Sequence, residues 1–431
     1  MSNKCKILKK GNKQSGITLV ALVVTIVVLL ILAGVSIRLV LDNNGIITRA
    51  GDAKDKHEQG RANDQTDLNS AEDYINQMTG GGSGGGAGGG SGTGSLPTGT
   101  GTTPYYPSSD FTKVDGTTLD NGLVIEDGSE NQYVWIEVPK TEAIYGEDNL
   151  NITEFSDTEL NTIKEKLIAY ANDYRKSGWS DTWYDGCGVS QENYPTMYNK
   201  MLKSVYQNGG FWIGRYEIGI DENTTRSFGE DYTTLHSTTG QTPVIKANKV
   251  PYNWIRCNQA ESLAETFAPS GYTSSLMFGL QWDLVLKYLE TKGISQADLK
   301  TDSTSWGNYK NATDFTITNT NAKYSTDDGA SWTQVTTAGY TKPSSAVLLT
   351  TGADARNSKM NIYDLAGNVL EWTLEQTSSS SSPCAVRGGD YNTNGFGGPA
   401  SCRFYSATTS GDSVVVTTNS AYDMGARVSL Y

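Results

Sequence analysis

Residues 16–37 contain no charge, and no other feature restricts the architecture of this chain as strongly. The stretch is almost wholly Val, Leu, Ile and Ala, and 22 residues at about 1.5 Å each match the roughly 30 Å hydrocarbon layer of a bilayer. The sequence therefore predicts a transmembrane helix over 17–37. Lys4, Lys6, Lys9, Lys10 and Lys13 precede it and mixed, acidic sequence follows, so the N-terminus is expected in the cytoplasm and everything after about Arg38 outside. An ordinary secretory signal has a shorter apolar core and a small-residue cleavage site at its end, a pattern this stretch lacks.

Beyond the span, residues 38–79 are polar with spaced apolar positions, including Leu39, Leu41, Leu68 and Ile75, and predict a broken amphipathic stem helix. Residues 80–104 are nearly all Gly, Ser, Thr and Pro and predict a flexible linker whose reach is on the order of 25–30 Å. From 105 to 431 the texture changes to short apolar and aromatic runs separated by Gly, Asn, Asp, Ser and Thr, the pattern of short strands joined by long loops. Strands are expected at 133–138 and 211–218, and helices at 157–174 and 278–290. An α+β head follows.

A formal charge of −13 sets nucleic acid aside as a partner, because phosphate binding needs a basic surface. Cys5, Cys187, Cys257, Cys384 and Cys402 show none of the paired spacing of a zinc site or a disulfide framework. They read as small buried apolar residues, with one bridge between Cys384 and Cys402 conceivable. With only His57 and His236 present, imidazole-based catalysis has little to work with.

Lys13-Gln14-Ser15-Gly16 followed by Ile17-Thr18-Leu19-Val20-Ala21 resembles a type IV prepilin leader. The resemblance implies cleavage after Gly16, a mature chain beginning at Ile17, and other pilin subunits as partners. The family usually carries glutamate at the fifth mature position, where this chain has Ala21. A pseudopilin, a minor tip subunit and a plain membrane anchor therefore all stay open.

Five patterns in the head, in order, resemble the formylglycine-generating-enzyme domain, which has a C-type-lectin-like fold. They are Phe211 to Glu217, Val250-Pro251-Tyr252-Asn253-Trp254, Gln281-Trp282-Asp283, Asn361 to Trp372 with Asn368-Val369-Leu370-Glu371-Trp372 at its end, and Val386-Arg387-Gly388-Gly389 with Gly425-Ala426-Arg427-Val428. A long insertion over about 140–210 departs from the family core. In the family the turn at Gly367 often holds calcium, which implies Asn368 and Glu371 as its ligands here, oxygen donors being what that ion takes. The alternative is that Asn368 caps the turn and Glu371 pairs with an arginine such as Arg387. No other cofactor is implied. The family oxidase depends on two close cysteines after its Arg-Gly-Gly motif, whereas residues 390–398 hold none and Cys402 stands alone, so no enzyme activity is expected.

Between Arg387 and Tyr431 there is no Lys, Glu, Gln, Trp or His, and the Tyr, Ser, Gly and Asn content is that of an antibody paratope. The placement of these motifs resembles the variable proteins of diversity-generating retroelements, in which adenines near the 3′ end of the gene are randomised. That resemblance implies ligand-facing roles for Asp390, Tyr391, Asn392, Asn394, Phe396, Phe404, Tyr405, Ser406, Tyr422 and Asp423. It leaves Arg387, Gly388, Gly389, Arg403 and Arg427 as fixed frame. The expected function is a cell-surface, pilin-like adhesin or receptor whose ligand is a protein, a glycan or a phage; the alternatives are a structural minor pilin with an invariant head and a residual oxidase. The leader reading predicts Ile17 as the first residue of the processed chain, checked by mass spectrometry of the N-terminal peptide, and retention of residues 1–16 in that peptide would overturn it.

Overall fold

The run Tyr133-Val134-Trp135-Ile136 becomes an inner strand, and all four side chains are fully buried. Such β-branched and aromatic residues suit a strand covered on both faces. The computed structural model describes residues 95–226, 237–313, 315–378, 383–406 and 421–431, all within one compact unit, Ala87–Tyr431. Gly16, Ile17, the expected span over 17–37, the stem and most of the linker lie outside the described residues. Among the described residues no helix is long and apolar enough to cross a membrane.

In chain order the strands of the two larger sheets are β1 (Thr112–Lys113), β2 (Val124–Glu126), β3 (Gln132–Glu137), β4 (Trp179–Ser180), β5 (Gly210–Gly214), β6 (Ser274–Leu276), β7 (Leu370–Thr377), β8 (Cys384–Arg387), β9 (Arg403–Ser406), β10 (Met424–Ala426) and β11 (Val428–Leu430). The first sheet runs β1-β2-β3-β5-β11-β6, antiparallel throughout. The second runs β9-β8-β7-β10, with β4 added alongside the end of β7. Here β7 is antiparallel to β8 and parallel to β10. Thus β10 and β11, close in sequence, tie the two sheets together.

Among the described residues, four helices of eight residues or more pack on these sheets: α1 (Asp157–Tyr170), α2 (Asn193–Asn208), α3 (Cys257–Ala264) and α4 (Gly279–Thr291). At the start of α1, Ser156 and Glu159 form a reciprocal capping box. Helix α4 is apolar on most sides and correspondingly sunk in the core, with Leu280, Trp282, Leu284, Val285, Leu286 and Leu289 all buried. The observed mixture of helix and curled sheet is of the expected mixed kind.

Three boundaries differ from the sequence reading. The expected helix over 157–174 stops at Tyr170, and Ala171 to Arg175 continue as turns that carry Arg175 toward the second sheet. The expected strand over 211–218 leaves its sheet after Gly214. The linker, expected to run through 104, ends earlier: the Lys140 N–H donates to the Gly101 carbonyl (2.6 Å), Thr103 N–H to the Asn208 carbonyl (2.8 Å), and the Trp135 indole to Thr102 Oγ1 (2.9 Å). The conceivable Cys384–Cys402 bridge is also corrected. Antiparallel pairing puts Arg387 opposite Arg403 and Cys384 opposite Ser406, so the two cysteines sit at opposite ends of the β8–β9 ladder, roughly 13 Å apart along the strands and beyond disulfide reach.

Near Gly367 the backbone turns at φ 78°, and a Cβ there would strike the Asn308 carbonyl, so only glycine fits. The turn feeds a buried acidic group made of Glu217, Asp364 and Glu371 around Arg427. The Arg427 guanidinium donates to Glu371 (Nη2 to Oε1, 2.6 Å) and to the carbonyls of Gly214 and Tyr363. Burial pushes Asp364 up to about 7, despite the Gly352 N–H and Arg427, and raises Glu217 and Glu371 as well. Burial also carries Asp181 and Asp390 to about 6. A carboxyl whose pKa is higher folded than unfolded takes up its proton first in the folded chain, so these groups stabilise the fold as pH falls from about 7 to about 4.5. Glu375, Asp221, Glu222 and Asp327 are held low and lose their stabilising effect only below about 4. The thermal midpoint should therefore rise between pH 7.5 and 5, and Asp364→Asn should flatten part of that rise; a scanning-calorimetry midpoint that falls over this window would refute the account.

Candidate functional site

Two buried carboxylates organise the second sheet's outer end. Asp283 stands on α4 and Glu375 on β7, and each is bound by both Arg387 of β8 and Arg403 of β9. Arg387 donates through Nη1 to Glu375 (2.9 Å) and through Nη2 to Asp283 (2.9 Å). Arg403 donates through Nε to Glu375 (2.9 Å) and through Nη2 to Asp283 (2.6 Å). Arg175 adds a third guanidinium, 2.9 Å from Asp283 and 3.6 Å from Asp181. Burial alone would raise Glu375, but Arg387 and Arg403 more than offset it and hold the carboxyl below its ordinary range. The remaining donors find backbone acceptors: Arg387 Nε the Cys402 carbonyl (2.9 Å), and Arg403 Nη1 the Tyr174 carbonyl (2.8 Å).

These pairs fix both ends of the loop between β8 and β9. Gly389, at φ 75°, lies where a Cβ would collide with the Gly398 carbonyl, so the loop closes tightly on itself. Inside it, the Asp390 carboxylate accepts from the N–H groups of Asn392 (2.7 Å) and Thr393 (3.1 Å), an Asx turn that aims the following residues outward. The Gly395 N–H donates to Asn311 Oδ1 and those of Gly397 and Gly398 to the Asn394 carbonyl. Phe396 consequently stands 63% exposed. On β9 the strand alternation does the same: Arg403 points in and Phe404 is 36% exposed.

Phe396 and Phe404 form a ridge between two clefts. One, of about 460 Å³, is walled by Lys310, Asn311, Ser344, Asn392 and Asn394. The other, of about 530 Å³, is walled by Tyr174, Arg175, Lys176, Lys300 and Ser401. Lys176 and Lys300 are exposed, and Lys300 is steered by donating to the Asp173 carbonyl (2.6 Å). The ridge thus presents apolar rings, amides and ammonium groups side by side.

The structure divides the ten residues expected to face a ligand. Asn392, Asn394, Phe396 and Phe404 come together at the ridge. Asp390 (2% exposed) and Tyr391 (1%) do not: the aspartate is consumed by its own turn, and the tyrosine packs with Leu348 and Val369 while its hydroxyl donates to Asp328 (2.6 Å). Asp423 is buried at 4%, and Tyr422 is half-buried against Trp254 and Tyr391, with ring centroids 6.1 and 6.2 Å away. For Tyr405 and Ser406 the backbone places them on β9 opposite Ala385 and Cys384, and their side chains lie outside the description, as do residues 407–420. Lys176, Lys300, Lys310 and Asn311 were not legible as site residues, because nothing local ties them to a loop so distant in sequence.

Asn368 and Glu371 do not suit a calcium ion. The Asn368 side-chain oxygen accepts from Asn308 Nδ2 (2.9 Å) and the Leu349 N–H (3.1 Å), its amide donates to Glu217 (2.7 Å), and both Glu371 oxygens face Arg427. Glu371 does pair with an arginine, but with Arg427 rather than Arg387, which Glu375 takes. Among the described residues no three His, Cys, Asp or Glu side chains converge on a metal position. Among the described residues Cys402 has no second thiol beside it, and burial pushes it up to about 12.

No family model matches the chain, and no curated protein matches it. Among solved structures, Treponema denticola variable protein 1 shows a weak similarity, at 12% identity over 69% of this chain and 84% of that one, with a TM-score of 0.20.

Removing one carboxylate from the arginine network leaves a buried guanidinium without its partner. Asp283→Asn should cost roughly 3–5 kcal/mol in guanidinium denaturation. By contrast Glu130→Gln, which breaks the exposed Lys246–Glu130 pair, should change stability by less than about 1 kcal/mol; equal effects would show that the network does not anchor the fold.

Proposed function

We propose that this chain is a surface-displayed binding protein that meets its ligand at the Phe396–Phe404 ridge and the two clefts beside it, on a lectin-type frame held outside the membrane by a prepilin-like segment. The observation that carries this reading is that, among the described residues, these two are the exposed large apolar side chains, and both border the same clefts. They come from separate segments, a loop and a strand, and meet only because the arginine network fixes both. Rigid aromatic anchors beside adaptable amides are what a recognition surface uses.

The four ridge residues touch none of the buried ion pairs, so they are exchangeable without loss of the frame. This supports the variable-protein reading and narrows the variable set: Asn392, Asn394, Phe396 and Phe404 are the positions to diversify, whereas Asp390, Tyr391 and Asp423 belong to the frame. Lys176, Lys300 and Lys310 beside an apolar ridge, on a chain of net charge −13, favour a ligand that combines acidic and apolar groups. The role is recognition without catalysis.

Gene sequences from sibling isolates should differ at the four ridge positions and agree at 390, 391 and 423. A library randomised at the four positions should keep thermal midpoints within about 3 °C of the parent in most members, while randomising 390, 391 and 423 should unfold most. Uniform ridge residues across many isolates would favour the minor-pilin alternative.

A further inference from the structure

Three of the cysteines meet in a part of the head that the binding face does not use. Cys257 opens α3, Cys384 opens β8, and Cys187 lies in the insertion, close enough that its carbonyl is 3.9 Å from Cys257 Sγ. The Sγ atoms of Cys257 and Cys384 are 3.5 Å apart and both residues are buried. Tyr184, also from the insertion, closes over them, with its hydroxyl 3.2 Å from Cys384 Sγ and 3.5 Å from Cys257 Sγ.

In the thiol form the two S–H groups make only long, weak hydrogen bonds. The Thr373 carbonyl accepts from the Tyr184 hydroxyl at 2.7 Å, and both thiols point at the same oxygen, Cys384 at 3.5 Å and Cys257 at 3.9 Å. Each thiol also has a second carbonyl in reach, that of Ala385 for Cys384 (3.5 Å) and that of Cys187 for Cys257 (3.9 Å), all of them weak, long contacts beside the short Tyr184 bond. Joining the sulfurs therefore gives up no strong hydrogen bond and leaves the Tyr184–Thr373 bond in place. Cys187 is placed differently, since its thiol is already directed at the Val189 carbonyl (3.4 Å).

We propose that Cys257 and Cys384 form a disulfide that staples α3 to the β7–β8 ladder. The two thiols lose two protons and two electrons as the S–S bond forms. The electrons reduce the disulfide of an exported thiol oxidoreductase to two thiols, which take up the protons. A bridge of this kind persists where the compartment is oxidising, which is where the proposed outward-facing head lies. Closure belongs to folding, before the site is sealed, because burial raises the Cys257 thiol and leaves little thiolate to attack in the finished fold.

The test is independent of ligand and of location. The full chain in detergent is unfolded in guanidinium, refolded in a mixture of reduced and oxidised glutathione, alkylated with N-ethylmaleimide in denaturant and digested for mass spectrometry. The expected product is a peptide pair joined through Cys257 and Cys384, with Cys5, Cys187 and Cys402 alkylated, and Cys187→Ala should yield the same pair. Adding a phosphine reductant should then lower the thermal midpoint of the wild type by about 5–10 °C and leave a Cys257→Ala, Cys384→Ala double variant unmoved. Recovery of Cys257 and Cys384 as alkylated thiols, or of either joined to Cys5, Cys187 or Cys402, overturns the proposal. A midpoint equally sensitive to reductant in the double variant overturns it as well.

Discussion

Asp283 and Glu375 together hold two guanidiniums that reach them from adjacent strands, and a third from the insertion, all shielded from water. Taking so many charges out of solvent is expensive, and paired charges in a protein interior do little better than a well-packed apolar cluster of the same volume. What the arrangement supplies is direction. A guanidinium that must satisfy two carboxylates and a carbonyl at once has one orientation, and its strand has one register. With Arg403 so held, the neighbouring residue on β9 must point the other way, into solvent. The position of Phe404 is therefore a consequence of chemistry on the opposite face of its strand.

The same logic separates frame from surface within a single loop. Asp390 and Asn392 are alike in size and polarity and two residues apart, yet one is spent on holding the turn and the other lies at the edge of a cleft. Composition treats them identically. Only the hydrogen bonds tell them apart, and these depend on where Gly389 and Gly398 bring the backbone together.

Much of the scaffold was legible because it is periodic. The buried strand around Trp135 and the helix around Trp282 announced themselves by runs and spacing, and the sequence patterns picked out Arg387, Arg403 and Arg427 as frame residues. Helix α2 was missed although Tyr194, Met197, Tyr198, Met201, Leu202 and Val205 repeat at helical spacing, because its segment read as an insertion rather than as part of the core. Long-range pairing was the harder problem. Cys384 and Cys402 are near in sequence and far apart on the ladder, while Cys257 is remote in sequence and in contact. The lysines of the second cleft were illegible for the same reason, since they reach the ridge only through the fold.

Placing β10 and β11 after the β8–β9 loop has a genetic consequence. Strand β11 fills a slot between β5 and β6, and β10 completes the edge of the other sheet, so both layers stay open until residues 424–430 have been translated in frame. Any insertion or deletion upstream that shifts the frame scrambles these strands and removes Arg427, leaving unpaired edges and a buried acidic group without its cation. Such a product cannot close and is exposed to proteases, whereas a clean substitution at the ridge passes unnoticed. The fold therefore makes its own closure a test of whether the reading frame was kept through to its last strands.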